Sequence, residues 1–367
     1  MKRRKRILLI LGVNLLLMGV GLVLLELIFG AWFNPNNLNR LNLLKNYVRQ
    51  YDVSHLYSDP RPVIQYSRDA YGLRGTHGGR PERINMLTVG GSTTDQRYIR
   101  DGDTWQDVMQ NEFAREGVTL VVANAGIDGQ STYGHIKNFE WWFPSIPGLA
   151  PKYILFYIGL NDFHKEVGYS YDEVVDSKQM TLKQKIKDNS AIWHMGRTLN
   201  GAYEAMWVKE IGHHSLDFSK AVWTREAMQK DYVFMEKRLA EYADRLRVLA
   251  DLTRKMGAKP IFVSQPSRKY RVNAEGQVEG DPTLSAYDEH AYNGVDFYHM
   301  MRRLDRVTEA VAKEKDALFV DLAGRTDWID ADFYDFSHMT PLGAKKTGTR
   351  LWEALKGVFP VPEARGE

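Results

Sequence analysis

The sequence contains no cysteine, which excludes disulfide bonds, a thiolate nucleophile and cysteine-ligated zinc. Its ten histidines form neither a His-x-His nor a His-Glu-x-x-His spacing, so the common signatures of histidine-ligated metal are missing too. A strong charge imbalance is also missing. The net charge of +3 depends on five cations in Lys2–Arg6, without which 44 basic residues face 46 acidic ones. A near-neutral body offers no electrostatic reason for binding nucleic acid.

One long apolar run, residues 7–33, follows the basic cluster and is broken only by Asn14, Glu26 and a few glycines. A helix of about 20 such residues crosses the roughly 30 Å hydrocarbon layer of a bilayer. Cations in front of the run are typical of its cytoplasmic end, so we expect a single-pass protein whose remaining residues lie in the periplasm or outside. The run is long for a cleaved signal peptide and lacks a good small-x-small site, which favours an uncleaved anchor. A buried core helix is the remaining alternative.

Residues 34–82 contain scattered proline and glycine without sustained periodicity, which predicts a linker and approach segment. From residue 83 to residue 367, apolar runs alternate with stretches of helical spacing. This rhythm predicts an α/β domain, a three-layer α/β/α sandwich with a five-stranded parallel sheet of the flavodoxin-like kind. The predicted strands are Ile84–Val89, Val118–Ala123, Tyr153–Ile158, Pro260–Ser264 and Ala317–Leu322. The predicted helices are Thr104–Arg115, Tyr133–Phe143, Arg225–Lys255, Phe297–Lys313 and Pro341–Val358.

About 60 residues, 163–222, interrupt this rhythm, and an insertion of that length is typical of a lid, a partner surface or a small helical cap. Its apolar residues recur at helical spacing. They are Ile192, Trp193, Met195, Leu199, Tyr203, Met206 and Trp207. We expect most of them to pack the insertion onto the main domain. The alternatives are that they line an acyl or glycan site or lie on the bilayer.

Small and polar segments follow the predicted strands, at the edge of an open parallel sheet where ligands bind. Gly90-Gly91-Ser92-Thr93-Thr94 follows the first strand, and a glycine-rich turn, residues 124–131, follows the second. Gly159-Leu160-Asn161-Asp162 follows the third, and Asp335-Phe336-Ser337-His338 precedes the last helix. Gln265 ends the fourth strand and borders this edge. Each short motif alone is a common turn, but four in order at strand ends predict an acyl-transfer site.

The chemistry of these residue types suggests a role for each. Ser92 is the expected nucleophile, because a neighbouring base such as His338 can take its hydroxyl proton. Asp335 can accept a hydrogen bond from the imidazole and fix its tautomer. The tetrahedral oxyanion needs preorganised donors. We expect them to be the backbone N–H groups of Ser92 and Gly129 and the side-chain amide of Asn161.

These motifs resemble the four sequence blocks of the SGNH (GDSL-like) hydrolase superfamily, over about residues 84–358. The resemblance places Ser92, Asn161 and His338 in three blocks, and the family spacing favours Gly129 over Gly126 in the other. Residues 71–75, Tyr-Gly-Leu-Arg-Gly, resemble a segment common in membrane-anchored bacterial members. The resemblance implies ester hydrolysis or acyl transfer with no metal and no organic cofactor. One departure is that the first block lacks its usual aspartate, since glycine precedes the serine.

The leading hypothesis is therefore a serine-dependent carboxylic ester hydrolase or acyl (acetyl) transferase outside the cytoplasmic membrane. Its expected partners are an acylated small molecule or envelope glycan as substrate, and the bilayer through residues 7–33, with no nucleic acid. Hydrolysis and transfer share an acyl-enzyme, so the motifs leave both open. A non-catalytic envelope scaffold with the same fold and a metal-dependent phosphoesterase using Asp335 and His338 are the alternatives.

Overall fold

The computed structural model describes residues 2–34, 38–41, 43–165, 181–204, 207, 211–325 and 327–359. The chain divides into two units, Met1–Asn42 with Val174–Trp207 and Leu43–Glu173 with Val208–Glu367. The α-helices of the described residues are α1 (Lys2–Phe29), α2 (Ser92–Asp95), α3 (Trp105–Arg115), α4 (Thr132–Lys137), α5 (Leu160–Lys165), α6 (Leu182–Asn189), α7 (Ala191–Glu204), α8 (Glu236–Lys255), α9 (Gly294–Glu314) and α10 (Pro341–Leu355). The β-strands are β1 (Tyr47–Asp52), β2 (Val63–Arg68), β3 (Arg74–Gly75), β4 (Met86–Gly90), β5 (Val122–Asn124), β6 (Tyr153–Tyr157), β7 (Lys259–Val263), β8 (Tyr270–Val272), β9 (Val278–Gly280), β10 (Ser285–Tyr287), β11 (His290–Tyr292) and β12 (Leu318–Val320).

The smaller unit contains α1, α6 and α7. Among the described residues, Arg4–Phe29 of α1 is the one stretch long and apolar enough to cross a membrane, and its most apolar window has no buried residue. A core helix would be mostly buried, so that alternative does not apply to α1. The exposure and length of the helix agree with the predicted membrane span.

The larger unit is built on a mostly parallel sheet. Its parallel strands lie in the order β5-β4-β6-β7-β12. Numbered along the chain this order is 2-1-3-4-5, which is flavodoxin-like. The predicted α/β class is confirmed. The sheet has six strands instead of the five predicted, because β3 pairs antiparallel with β5 at one edge. A strand of two residues is too short to show in the hydrophobic pattern.

Helices cover both faces of this sheet. On one face α3 packs against α10, and Trp105, Phe113 and Leu351 are fully buried with alternate strand residues. On the other face lie α4, α8 and α9, and there Phe156 and Phe262 of neighbouring strands stack with ring centroids 5.2 Å apart. Strands buried on both faces are typical of a doubly wound sheet, which is the predicted three-layer arrangement.

The segment predicted as a linker, residues 34–82, is largely structured. β1 and β2 form an antiparallel hairpin whose residues Tyr51, Ile64 and Tyr66 are buried in an apolar cluster. β3 then joins the edge of the sheet. The linker prediction is therefore wrong from residue 43 onward, where the chain belongs to the larger unit. The hydrophobic alternation is obscured because Arg49 and Arg68 are buried, whereas Val48 and Val63 are exposed.

The predicted helix over residues 225–255 begins only at Glu236. Before it, the backbone N–H groups of Met228 and Gln229 each donate to the carboxylate of Asp296, at 2.9 Å. Asp296 lies in the first turn of α9, so a contact between distant parts of the chain replaces the early turns of the predicted helix. Helical spacing in the sequence cannot reveal such a competitor.

The predicted insertion, residues 163–222, is divided between the two units. Residues 166–180, 205, 206 and 208–210 lie outside the described part of the chain. α6 and α7 belong to the smaller unit, whereas residues 211–222 belong to the larger one. The expectation of one helical insertion within the catalytic domain does not match this division.

Candidate active site

Ser92 follows a tight turn between β4 and α2, where two glycines allow very close packing. A Cβ on Gly90 would lie 2.1 Å from the Thr94 hydroxyl, and a Cβ on Gly91 would lie 1.9 Å from the amide nitrogen of Asn161. No residue with a side chain fits such spaces unless its neighbours move. The turn therefore holds Ser92 at the carboxyl edge of the sheet, where the strand order reverses around β4.

Ser92, His338 and Asp335 form one hydrogen-bonded chain. The Nε2 atom of His338 lies 2.8 Å from the Ser92 hydroxyl oxygen, and its Nδ1 atom lies 2.7 Å from the Asp335 carboxylate. The second carboxylate oxygen of Asp335 accepts the backbone N–H groups of Ser337 and His338, both at 2.7 Å. The carboxylate is thus held from two sides and can orient the imidazole towards the serine.

Asp335 and His338 shift each other's protonation. Burial opposes the charged form of each, but their hydrogen bond and mutual attraction outweigh it. The pKa of the His338 imidazole is raised above its ordinary value, and the pKa of the Asp335 carboxyl is lowered. This pairing stabilises the imidazolium that forms when His338 takes a proton, which is what a general base beside a serine requires.

The predicted oxyanion donors come from the ends of three adjacent strands. The Asn161 amide lies beside Gly91 and donates to the carbonyl of Gln130 at 2.9 Å. Ser92 is the first residue of α2, so its N–H has no acceptor within the helix. Gly129 has φ = +72°, a left-handed conformation that glycine adopts without strain. Of the three, the Asn161 amide is placed directly against the turn that carries Ser92.

Gly126, the alternative to Gly129, has a structural role. Its N–H donates to the side-chain oxygen of Asn124 at 2.9 Å. A Cβ on Gly126 would lie 2.3 Å from the backbone nitrogen of Asp95. Its N–H is thus already used in the turn, and its lack of a side chain permits close packing against α2.

Gln265 lies just beyond the end of β7 and joins two of the site turns. Its amide nitrogen donates to the Thr93 hydroxyl at 2.6 Å, and its amide oxygen accepts the backbone N–H of Leu160 at 2.8 Å. Thr93 follows Ser92, and Leu160 precedes Asn161. Gln265 therefore ties the nucleophile turn to the amide donor, a role that its position at a strand end suggested only weakly.

Two buried arginines brace the segment after the serine, and sequence reasoning assigned neither of them. Arg68 donates to the carboxylate of Asp95 at 2.6 Å and to the carbonyl of Gly126, which joins the first two glycine-rich turns. Arg74 donates to the carbonyl of Asp95 at 2.8 Å. The available signal was the Tyr-Gly-Leu-Arg-Gly segment, residues 71–75, whose arginine proves to support the turn after Ser92.

A small open pocket of about 20 Å³ adjoins Ser92 and His338. Its wall includes the aromatic rings of Tyr98, His213 and Tyr334 and the charged side chains of Arg97 and Asp128. The His213 ring centroid lies 5.3 Å from that of His338, and burial together with the neighbouring His338 lowers the pKa of His213. His213 comes from the end of the insertion, and no sequence motif marked it as a site residue.

Three ligand-type side chains lie close enough for a metal ion. Within the described residues, one ligand atom each of His213, Asp335 and His338 lies within 4.8 Å of the others. However, both ring nitrogens of His338 already face hydrogen-bond partners, Asp335 and Ser92. A metal here would have to replace these bonds, so the arrangement fits nucleophilic catalysis by serine better than metal ligation.

A sequence profile of the GDSL-like lipase/acylhydrolase family matches residues 88–346 of the chain. This match includes all four segments that supply the site. No curated protein matches the sequence.

Among solved structures, the chain is similar to a variant of the acetyl xylan esterase Axe2 from Geobacillus stearothermophilus, with 15% identity and a TM-score of 0.41. The alignment covers 77% of this chain and 100% of that one. Est24, a carbohydrate acetylesterase from Sinorhizobium meliloti, is 11% identical with a TM-score of 0.39, covering 75% of this chain and 100% of its own. TesA is 15% identical with a TM-score of 0.40, covering 74% and 98%.

Proposed function

This chain belongs to the GDSL-like lipase/acylhydrolase family, and we propose that it is a serine esterase or acetyltransferase whose nucleophile is Ser92. The observation that carries the proposal is the hydrogen-bonded chain from the Ser92 hydroxyl through the His338 imidazole to the Asp335 carboxylate. Each of the three groups has the hydrogen-bond partner that acyl transfer requires. Their arrangement supports nucleophilic attack by the serine with the histidine as general base.

The reaction begins when His338 Nε2 removes the Ser92 hydroxyl proton as the serine oxygen bonds to the ester carbonyl carbon. The carbonyl oxygen becomes an oxyanion, stabilised by the N–H groups of Ser92 and Gly129 and the Asn161 amide. As the carbonyl re-forms, the bond to the alcohol breaks and His338 returns its proton to that alcohol. Water or a sugar hydroxyl then attacks the acyl-serine, giving its proton to His338, and the second collapse releases the acid or the new ester and restores Ser92.

The residues that line the pocket support a polar substrate. The pocket adjoins the proposed nucleophile and is open on one side. The charged side chains of Arg97 and Asp128 in its wall favour a polar alcohol part. We infer an acetylated glycan or another polar acetyl ester as the substrate class.

We also infer that α1 anchors the protein in the cytoplasmic membrane by a single pass, with the larger unit on the outer side. Its length and composition and the five cations in front of it support this orientation. The catalytic unit then comprises residues 43–165 and 211–359 of the described chain. An acylated envelope glycan would be within reach of an enzyme held in this way.

Labelling with a fluorophosphonate probe tests the nucleophile. We expect the full chain in detergent to be labelled, Ser92→Ala to lose the label, and Ser337→Ala, a matched serine beside His338, to keep it. Unchanged labelling of Ser92→Ala would contradict the proposal. Loss of esterase activity on chelation with labelling unaffected would instead favour the metal-dependent alternative at His213, Asp335 and His338.

Measuring acetate release with and without a sugar acceptor distinguishes hydrolysis from acetyl transfer. A transferase should give less acetate and more acetylated sugar when the acceptor is present. A hydrolase should release the same acetate in both cases. Either result retains Ser92 as the nucleophile, since both reactions pass through the same acyl-serine.

A further inference from the structure

An apolar face of α7 is exposed. Ile192, Met195, Leu199 and Tyr203 follow one another at spacings that place them on one side of the helix. Their exposed fractions are 37%, 52%, 65% and 60%. Trp193 and Trp207 are exposed as well, and Met206 lies outside the described residues. The described members of this apolar set are thus exposed.

The other side of α7 carries Arg197 and Thr198 together with the exposed Trp193, and α6 before it is basic. Arg197 and Thr198 are exposed and lie away from the apolar stripe. In α6, Leu182 and Ile186 are exposed one turn apart, with lysines at 183, 185 and 187 beside them. Exposed apolar residues with basic residues on the flanks are typical of helices that lie in the membrane interface.

Glu26, a carboxylate within the apolar helix α1, receives four hydrogen bonds. The Trp32 indole donates at 2.8 Å and the Ser190 hydroxyl at 2.6 Å. The backbone N–H groups of Ala191 and Ile192, at the start of α7, donate at 3.0 and 3.1 Å. A carboxylate at a helix N-terminus is favoured by the free N–H groups and the helix dipole. Glu26 thus joins the start of α7 directly to α1.

The corner between α6 and α7 is held at two further points. The backbone N–H of Ala31, just after α1, donates to the carbonyl of Asn189 at 2.8 Å. The amide of Asn39 donates to the carbonyl of Asp188 at 3.1 Å. The chain that leaves α1 therefore binds the end of α6, so the position of α7 along α1 is defined by several bonds.

These hydrogen bonds fix the position along α1 at which α7 begins. Glu26 precedes Phe29, the last residue of α1, by three residues, which is about 4–5 Å along a helix. The end of a membrane-spanning helix lies in the interface, where tryptophan, tyrosine and charged groups are enriched. Within the membrane a carboxylate is tolerated when it is paired. The start of α7 therefore lies at interfacial depth if α1 spans the bilayer.

We propose that α6 and α7 form a second membrane contact, an interfacial element that lies on the outer leaflet beside the anchor. The apolar face of α7 enters the boundary between headgroups and acyl chains, and the lysines of α6 contact anionic headgroups. This inference rests on the proposed anchoring by α1. The occupant is the bilayer because α7 begins at Glu26 of the helix proposed to cross it, and because the basic charge of α6 complements anionic lipid.

Environment-sensitive labels at single cysteines test this contact, and a chain without native cysteine suits the method. We place the full chain in nanodiscs of phosphatidylethanolamine and phosphatidylglycerol, with an NBD label at Leu199→Cys. Its matched control is Arg197→Cys, exposed on the opposite side of α7. We expect blue-shifted emission at position 199 that brominated lipid chains quench, and water-like emission at position 197.

A second variant tests the role of Glu26. Glu26→Ala in the Leu199→Cys background should shift the emission at 199 towards that of water, while the protein remains in the nanodisc through α1. Glu26→Gln, which keeps an oxygen acceptor, should shift it less. An unchanged emission in Glu26→Ala would overturn the assignment of Glu26 as the joint.

The other outcomes are distinct. Water-like emission at both positions in nanodisc-bound protein overturns the interfacial element and leaves the anchor proposal intact. Blue-shifted emission at position 199 without quenching by brominated lipid indicates a protein surface, such as a second copy, and also overturns it. A protein that fails to enter nanodiscs overturns the anchor itself, and with it the present inference.

Discussion

At residue 91, the neighbouring atoms leave no space for a side chain. A Cβ at this position would lie 1.9 Å from the Asn161 amide nitrogen and 3.2 Å from the carbonyl oxygen of Gln130. The glycine that replaces the family's usual aspartate therefore lets the amide donor lie directly against the nucleophile turn. Close packing against Asn161 thus takes the place of the missing acidic side chain. The turns around this position are braced by Arg68, Arg74 and Gln265.

We predict that Gly91→Ala lowers kcat for a simple acetyl ester by on the order of 10²–10³, the usual effect of losing one oxyanion donor. The added methyl group would displace the Asn161 amide. The measurement is steady-state kinetics together with a thermal melt. Gly196→Ala, at a glycine with open space around it, is the matched control and should leave kcat unchanged.

A double-mutant cycle makes this prediction specific. In an Asn161→Ala background, Gly91→Ala should add little further loss, because both changes remove the same donor. An equal fall in kcat in the wild-type and Asn161→Ala backgrounds would mean that residue 91 affects catalysis independently of the Asn161 amide. A fully active Asn161→Ala enzyme would remove the amide from the oxyanion site altogether.

At the scale of elements, the site depends on how neighbouring strands are joined at their carboxyl ends. β4, β6 and β7 are adjacent in the sheet, and the residues that follow them lie at one edge. Gln265, after β7, bonds to the segments after the other two strands. The distance between the serine and the amide donor is thus set by a cross-strand link, in addition to the turns that carry them.

We predict that Gln265→Ala lowers kcat by roughly 10–100-fold with little change in KM, because a displacement of about 1 Å in a catalytic group can cost as much as 10²-fold. It should also lower the free energy of unfolding by about 1–3 kcal/mol for each buried polar group left unpaired. Kinetics on an acetyl ester and denaturant unfolding measure the two effects.

Substitutions at the partner of Gln265 provide the control. Thr93→Ser keeps the hydroxyl that accepts from Gln265 and should retain most of the activity. Thr93→Val removes it and should reproduce part of the loss in kcat. Full activity in Gln265→Ala would show that the turns hold their positions without this link.

At the scale of the whole molecule, the proposed membrane orientation rests on charge and hydrophobicity. The cations of Lys2–Arg6 precede the one described stretch that can cross a bilayer. In residues 30–49, just after the helix, the basic residues are Arg40, Lys45 and Arg49, so the five cations in front of it favour a cytoplasmic N-terminus. The proposed arrangement places the larger unit on the outer side.

We predict that a cysteine at Ala274, in the exposed turn between β8 and β9, reacts with a membrane-impermeant maleimide in intact spheroplasts. A cysteine at Lys5 should react only after the membrane is permeabilised. Since the chain has no other cysteine, each label reports one position. The reverse pattern would contradict the proposed orientation, and labelling at both positions in intact spheroplasts would argue against a single membrane pass.

Local patterns in the sequence were enough to predict the α/β class, a mostly parallel sheet and a long apolar helix near the N-terminus. They sufficed because strand and helix periods and apolar length are properties of neighbouring residues. The expected positions of Ser92, Asn161 and His338 at one edge followed from a general rule, since the carboxyl ends of parallel strands share an edge. The structure places the serine and histidine within hydrogen-bond distance.

Contacts between distant residues were decided only by the tertiary structure. Gln265 meets a threonine 172 residues away, and Glu26 meets the start of α7 across 164 to 166 residues. No local pattern encodes such pairs, because they depend on where the folded chain returns. For the same reason, the sequence could show that α7 is amphipathic, but only the fold could show that its apolar face is left exposed.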